Sequence, residues 1–273
     1  MQRNAQLDIR GTVSDLNDII EKINGKVDEI SSRTIAYGLI TVKTNEAREG
    51  YQELLKMLEE RNLEYTFAEG RKYTKKEMDS SYFFHVNVPF PWEHEPLKNA
   101  AYYGTVYETL EVDCECQLQQ ISELRLDVKK MKKSHLITIY PQLIVTEHAK
   151  NIIIQNELTG CEFLPANDYK ERELGQVFEM RVINILPLLS ERTRLEKVKL
   201  KHCSRCIAGA VLRSELIYEK ADLKLVLDFN LTTERLNAYD ARQLVVSKKV
   251  RDVFNENKIK VYGYEPVAFH ETC

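Results

Sequence analysis

The sequence predicts an α+β protein, with a small N-terminal α/β sandwich followed by two pseudo-repeated strand–helix–strand units. Three observations carry this. QLIVTEHAKNIIIQNELTGCEFLPA (142–166) and QLVVSKKVRDVFNENKIKVYGYEPV (243–267) align without a gap at an offset of 243 − 142 = 101. The N-terminal third instead alternates short apolar runs with two amphipathic helical stretches. Between the two parts lies the proline-dense stretch PFPWEHEP (89–96), which reads as a loop or linker. The domains are therefore placed at 1–90 and 97–273, with repeat one at about 106–166 and repeat two at about 198–267.

In the first domain Leu7–Ile9 reads as a strand, and Ser14-Asp15 opens a helix through Leu16, Ile19, Ile20 and Ile23. Ile35–Val42 alternates as a strand. Asn45–Arg61 places Tyr51, Leu54, Leu55 and Leu58 on one helical face, and Leu63–Phe67 follows as a strand. Residues 72–78 read as a turn or short helix, and Tyr82–Val88 as the strand that ends the domain.

Each repeat has the same physical logic. Leu143–Val145 and Leu244–Val246 are short apolar strands. Thr146 and Ser247 then offer a hydroxyl to the free amides of a helix start. Ala149, Ile152 and Ile153 fall on one face of the first helix, and Val250, Val253 and Phe254 on one face of the second. Asn156 and Asn257 mark the stops. A second strand follows, Glu-Phe-Leu-Pro in one copy and Tyr-Glu-Pro in the other, closed by a proline that cannot continue a ladder. Upstream, Ser122-Glu123-Leu124 matches Ser214-Glu215-Leu216 at an offset of 92, so copy two carries nine extra residues, placed in the polar loop LNAYDAR (236–242).

The 273 residues have a formal net charge of −3, which argues against a protein whose main task is to coat nucleic acid. The chain start carries no apolar signal core, no apolar run is long enough to cross a bilayer, and Cys273 is not in a prenylation arrangement. The expected compartment is the cytosol, where six cysteines are free thiols or metal ligands rather than disulfides.

Cys203-Ser-Arg-Cys206 has the spacing of half a zinc site. Cys114 and Cys116, in DCEC, supply the other half at the equivalent place, because Cys114 falls on Cys206 at the offset of 92. Ordinary reduced cysteines at strand ends are the plainer alternative. A redox role for CSRC lacks the strand-to-helix setting that lowers a thiol pKa.

The histidines do not cluster. His94, between Glu93 and Glu95, reads as solvated; His85 as a packed strand residue; His148 has Lys249 as its counterpart; His202 is an awkward neighbour to Cys203 as a fourth ligand. No phosphate loop, nucleophile elbow or HExxH helix is present. The basic run between Lys129 and Lys133 reads as a solvated turn, and Tyr102, Tyr103 and Tyr107 as core or interface.

The blocks VFEMRVINILPLLSERTR (177–194), CSRC, SEL, DFNLT (228–232), QLVVSKKVRDVF and YEPV, with CECQLQQISELRLD and LTGCEFLP as the first half, resemble the bacterial double-CxxCG proteins and related immunity-protein families of polymorphic toxin systems. The resemblance covers roughly the last two-thirds of the chain. It implies a cytosolic bacterial protein that neutralises a cognate toxin by binding it, with one metal site at Cys114, Cys116, Cys203 and Cys206. The chain departs from the pattern in lacking the glycine after each motif and in its shortened first pair. EREL (171–174), Glu93 and Glu95 are candidate acidic contacts to a basic toxin. A zinc-ribbon regulator or nucleic-acid-associated protein is the alternative expectation, and an enzyme with a site around His85 or His94 the third.

Overall fold

A computed structural model describes residues 2–32, 35–91, 100–111, 114–131, 134–139, 141–172, 175–196, 210–236 and 241–271, with the backbone alone at 2, 3, 37, 66–69, 109–111, 114–118 and 196. It divides into two units, Met1–Asp79 and Ser80–Cys273. The mixed α+β class expected from the sequence is what the chain adopts.

The first unit runs β1 (Gln2–Arg10), α1 (Val13–Ile23), β2 (Glu29–Ser31), β3 (Leu39–Asn45), α2 (Glu49–Glu60), β4 (Tyr65–Lys72), α3 (Lys75–Ser80). Its antiparallel sheet has the order β2-β3-β1-β4, the topology of a split βαβ sandwich. Leu7, Ile9, Ile40 and Val42 form one core with Leu16, Ile19 and Ile23 of α1 and Leu54 and Leu58 of α2. Thr12, two residues before the expected start, caps α1 by accepting the Asp15 amide at 3.2 Å. The three-residue β2 is too short to show a period in the sequence.

The second unit runs β5 (Phe83–Asn87), β6 (Tyr107–Glu111), β7 (Cys114–Gln120), β8 (Leu124–Leu126), β9 (Leu136–Ile139), β10 (Gln142–Thr146), α4 (Glu147–Gln155), β11 (Cys161–Asp168), β12 (Val177–Val182). It continues through β13 (Leu195–Glu196), β14 (Val211–Leu212), β15 (Ile217–Glu219), β16 (Phe229–Leu236), β17 (Ala241–Ser247), α5 (Lys248–Glu256), β18 (Gly263–Pro266) and β19 (Ala268–His270). The expected boundary at 89–96 is corrected: strand 82–88 belongs to this unit, because β5 pairs with β17 and β18. Apolar alternation marks a strand but does not say which sheet takes it.

The duplication is visible atom by atom. Thr146 accepts the Ala149 amide at 3.4 Å, and Ser247 the Val250 amide at 3.3 Å. The Asn156 side-chain Nδ2 donates to the Ile152 carbonyl, and that of Asn257 to the Val253 carbonyl, each at 2.8 Å. Both helices then close in a left-handed residue, Glu157 (φ 51°) and Lys258 (φ 58°). Their next amides, Leu158 and Ile259, reach back to Ile153 and Phe254 in a Schellman turn.

The sheets match as well. One has the order β8-β11-β12-β10-β9, the other β16-β17-β5-β18. Leu143 faces Met180 and Leu244 faces Val86; Phe163 faces Met180 and Tyr264 faces Val86. Thus β12 and β5 hold equivalent central places. Leu136 faces Val145 as Phe229 faces Val246, an offset of 229 − 136 = 93. Since the helices differ by 101, eight of the nine extra residues lie between Thr232 and Gln243, so the insertion lengthens the far ends of β16 and β17 as well as the 236–242 loop where the sequence put it.

Pro266 ends β18 as expected, whereas Pro165 does not close its strand. β11 continues through Pro165 to Asp168. The Ile183 amide donates to the Gly160 carbonyl, so by alternation Pro165 stands opposite Phe178 where no ladder bond to β12 is required.

Candidate functional site

Two hairpin arms are equivalent: β6–β7, which carries Cys114 and Cys116, and β13–β14. Their bases are built alike. The Arg125 amide donates to the Thr105 hydroxyl at 2.9 Å, and the Ile217 amide to that of Thr193 at 3.2 Å. Ser122 accepts the Val106 amide at 2.8 Å, and Ser214 the Arg194 amide at 2.9 Å. Each serine thus pins one arm to its sheet, which is the structural reason for the repeated Ser-Glu-Leu.

Cys114 opens β7 opposite Glu111, with Cys116 two residues on. Cys203, Cys206 and His202, between β13 and β14, lie outside the described residues, as do the side chains of Cys114 and Cys116. The backbone therefore places the first motif on the β6–β7 arm, and the second falls outside the described residues. The four-thiolate zinc set itself falls outside the described residues. Among the described residues no group of three or more His, Cys, Asp or Glu side chains could hold a metal ion. The described thiol, Cys161, is pushed up to about 12 by burial and then by nearby Asp228, so it stays protonated at neutral pH and is no nucleophile there.

Where the first arm meets its sheet, polar side chains link buried Gln142 and Glu179 through half-buried Gln120 to exposed Arg181. Gln142 donates to Gln120 at 3.1 Å, Gln120 donates to the Glu179 carboxylate at 3.0 Å, and Arg181 Nε donates to the same carboxylate at 3.0 Å. Burial pushes the Tyr107 phenol upward, partly countered by the neighbouring Gln142 side chain. In copy two His85 takes the place of Glu179 and Gln243 that of Gln142, with His85 Nε2 and Gln243 Oε1 3.2 Å apart. Both central residues are buried, so His85 is a packed side chain, as the sequence suggested.

The helix faces repeat a cation over a ring. Lys150 Nζ lies 3.7 Å from the Phe178 centroid, and the Arg251 guanidinium lies 4.5 Å from that of Phe84. Beside the first cap, the His135 and His148 rings lie 4.6 Å apart, tilted by 53°, and His135 Nδ1 is 3.0 Å from the Thr146 hydroxyl. Burial, then the His148 charge, lowers the His135 pKa. In copy two Asp228 stands where His135 does and accepts from the Ser247 hydroxyl at 2.6 Å.

A cleft of about 370 Å³ opens at the end of β11 and β12, lined among others by Asp168, Arg172, Gln176 and Phe178. Asp168 accepts the amides of Val128, Lys170 and Arg172 and the Nε of Arg172 at 2.7 Å. The Arg172 guanidinium, foremost, holds this carboxyl well below the usual carboxylate range. Arg172 also reaches Asp127 at 2.6 Å. The EREL stretch is thus no uniform acidic patch: Glu171 is exposed, Arg172 turns inward, and Glu173 lies outside the described residues.

His94, Glu93, Glu95, Lys132 and Lys133 also lie outside the described residues. Lys129 and Lys130 occupy a single turn, with the Lys129 amide bonded to Asp127. Tyr103 is buried, Tyr107 half-buried and Tyr102 exposed.

Sequence reasoning did not single out the chain after β12. There Ile183, Ile185 and Leu188 are 61%, 51% and 62% exposed, and Leu225 is 60% exposed. Asn184 fixes this edge, donating to the Leu225 carbonyl at 3.2 Å and to the Asn230 side chain at 2.7 Å. The signal was present as the mostly apolar run INILPLL (183–189), broken by Asn184 alone and lacking the sustained polar alternation of a half-buried strand. Among the described residues no helix is long and apolar enough to cross a membrane. No protein-family model matches the chain, and a search of curated proteins found no match.

Proposed function

We propose that this chain is a non-enzymatic, cytosolic bacterial protein that binds a macromolecular partner, as an immunity factor neutralising a cognate protein toxin. The observation that supports it is the aliphatic edge of Ile183, Ile185, Leu188 and Leu225, held in place by Asn184. Exposed apolar side chains on an already ordered backbone suit protein recognition, since little conformational freedom remains to be lost on binding. The resemblance in the cysteine-bearing blocks supplies the partner class. Zinc at Cys114, Cys116, Cys203 and Cys206 would tie the two arms together and carry no chemistry.

The test is affinity purification from the native host of wild type and of an Ile185→Asp/Leu188→Asp variant, with partners identified by mass spectrometry. The expected result is one stoichiometric protein partner that is retained by wild type and lost by the variant. That partner should be toxic when expressed alone and harmless when co-expressed with this chain. Absence of a stoichiometric partner, or equal retention by both forms, would overturn the reading.

A further inference from the structure

Each copy begins with a strand that lies in the other copy's sheet. β5 precedes β6 to β11, yet it pairs with β17 and β18; β12 precedes β13 to β18, yet it pairs with β10 and β11. Both strands then return to their own copy. The Pro89 carbonyl accepts the Thr138 amide of β9 at 2.8 Å, and the Asn184 carbonyl accepts the Leu231 amide of β16 at 2.9 Å. Thr138 and Leu231 are equivalent positions, each one step along the edge strand of its sheet.

The side chains follow the exchange. Val177, from copy two, belongs to the core of Leu124, Ile137 and Ile144 in copy one. Phe83, from copy one, packs on the core of Leu216, Tyr218 and Val245 in copy two. The cation–ring pairs cross over too: Lys150 of copy one covers Phe178 of copy two, and Arg251 of copy two covers Phe84 of copy one.

We infer that Ser80–Cys273 is a fused, strand-exchanged pseudo-dimer, in which each copy's leading strand is a docking element whose partner is the other copy. Covalent continuity between Arg172 and Gly175 is then not needed to hold the two copies together. Exchange of an identical element between protomers is a low-cost route to a dimer, and fusing the two genes fixes the pairing. Neither copy has a complete sheet of its own, because the central strand of each is supplied by the other.

The test uses the full chain with a specific protease site inserted between Arg172 and Gly175. After cutting, the two pieces should co-elute as one body of the uncut size. Two cysteine pairs then distinguish exchange from a copy that keeps its own strand. Asn87 faces Gly263 across β5 and β18, and an added Cβ at Gly263 meets nothing within 4 Å, so Asn87→Cys/Gly263→Cys is tolerated. Glu162 is the copy-one equivalent of Gly263, so Asn87→Cys/Glu162→Cys reports the unexchanged arrangement.

On mild oxidation of the cut protein, 87–263 should link the two pieces on a non-reducing gel, with the crosslinked peptides confirmed by mass spectrometry. The 87–162 pair should stay open. Pieces that separate on cutting, an 87–263 pair that does not link, or an 87–162 link within one piece would each overturn the inference.

Discussion

Gly160→Ala is the substitution for which the fold makes the sharpest quantitative statement. Gly160 has φ 97°, and an added Cβ would stand 2.3 Å from the Phe229 carbonyl oxygen, where β16 of copy two passes β11 of copy one. Any side chain there is strained by about 1–3 kcal/mol through backbone conformation alone. The clash with a main-chain oxygen must also push the two strands apart by about 1 Å, since ordinary carbon–oxygen contacts begin near 3.3 Å. That movement loosens the Phe229 amide on the Thr159 carbonyl at 2.9 Å and the Thr159 amide on Asp228 at 2.9 Å. At about 1 kcal/mol for each such bond, the total is about 3–5 kcal/mol. With a urea dependence of about 2 kcal/mol/M, the midpoint falls by about 2 M. Unfolding is followed by pulsed hydrogen exchange on β11 and β16 peptides, which reads the second unit separately from the first. Gly175, with nothing within 4 Å of an added Cβ, is the control, and Gly175→Ala should stay within about 0.5 kcal/mol of wild type. A Gly160→Ala shift no larger than that of the control would refute a close crossing of the copies at this point.

Three further outcomes follow from the same geometry. Thr146→Ala and Ser247→Ala should each cost about 1 kcal/mol in urea unfolding, with Ser247→Ala the more damaging because the second partner of its hydroxyl is a carboxylate, Asp228 at 2.6 Å, where that of Thr146 is the His135 imidazole at 3.0 Å; equal costs would discount the charged partner. Arg172→Met removes the guanidinium that stabilises buried Asp168 and should lower the urea midpoint at neutral pH. Because Asp168 is held low in the folded state, its contribution is complete above its unfolded value near ~3.9 and is lost as pH falls through the folded value. The gap between wild type and Arg172→Met should therefore be constant near neutrality and narrow below about pH 4; a gap that widens with acid contradicts this. Cys161, pushed up to about 12, should react with a maleimide at pH 8 far more slowly in the native chain than in urea, and equal rates would contradict its burial.

Much of the second unit was legible in the sequence because its signals are local. Hydroxyl caps at 146 and 247, apolar faces at helical spacing and the Asn stops are all set within a few residues, and each is found in the fold. The turns after those stops were not legible. Glu157 and Lys258 take the left-handed conformation without the glycine that usually announces it.

The partner of each central strand was not legible for a deeper reason. Leu143 and Leu244 offer equivalent neighbours, so hydrophobic pattern alone cannot choose between a copy's own strand and its twin's. The choice is made by the path of the chain beyond the strand, through the Pro89 and Asn184 carbonyls. Arg172 was hidden similarly. In the string EREL it looks like part of a solvated charged run, whereas its i,i+4 relation to Asp168 makes it an internal counter-ion. The aliphatic edge at 183–188 was overlooked because an apolar run first suggests a buried strand.

The interleaving of the copies is tested most directly by inter-strand proton contacts in solution. Opposed α-protons in antiparallel strands lie close at alternate positions. The fold predicts nuclear Overhauser contacts between Val86 and Tyr264 and between Phe163 and Met180. Contacts instead between Val86 and Phe163, and between Met180 and Tyr264, would show each copy keeping its own strand and would contradict the exchange.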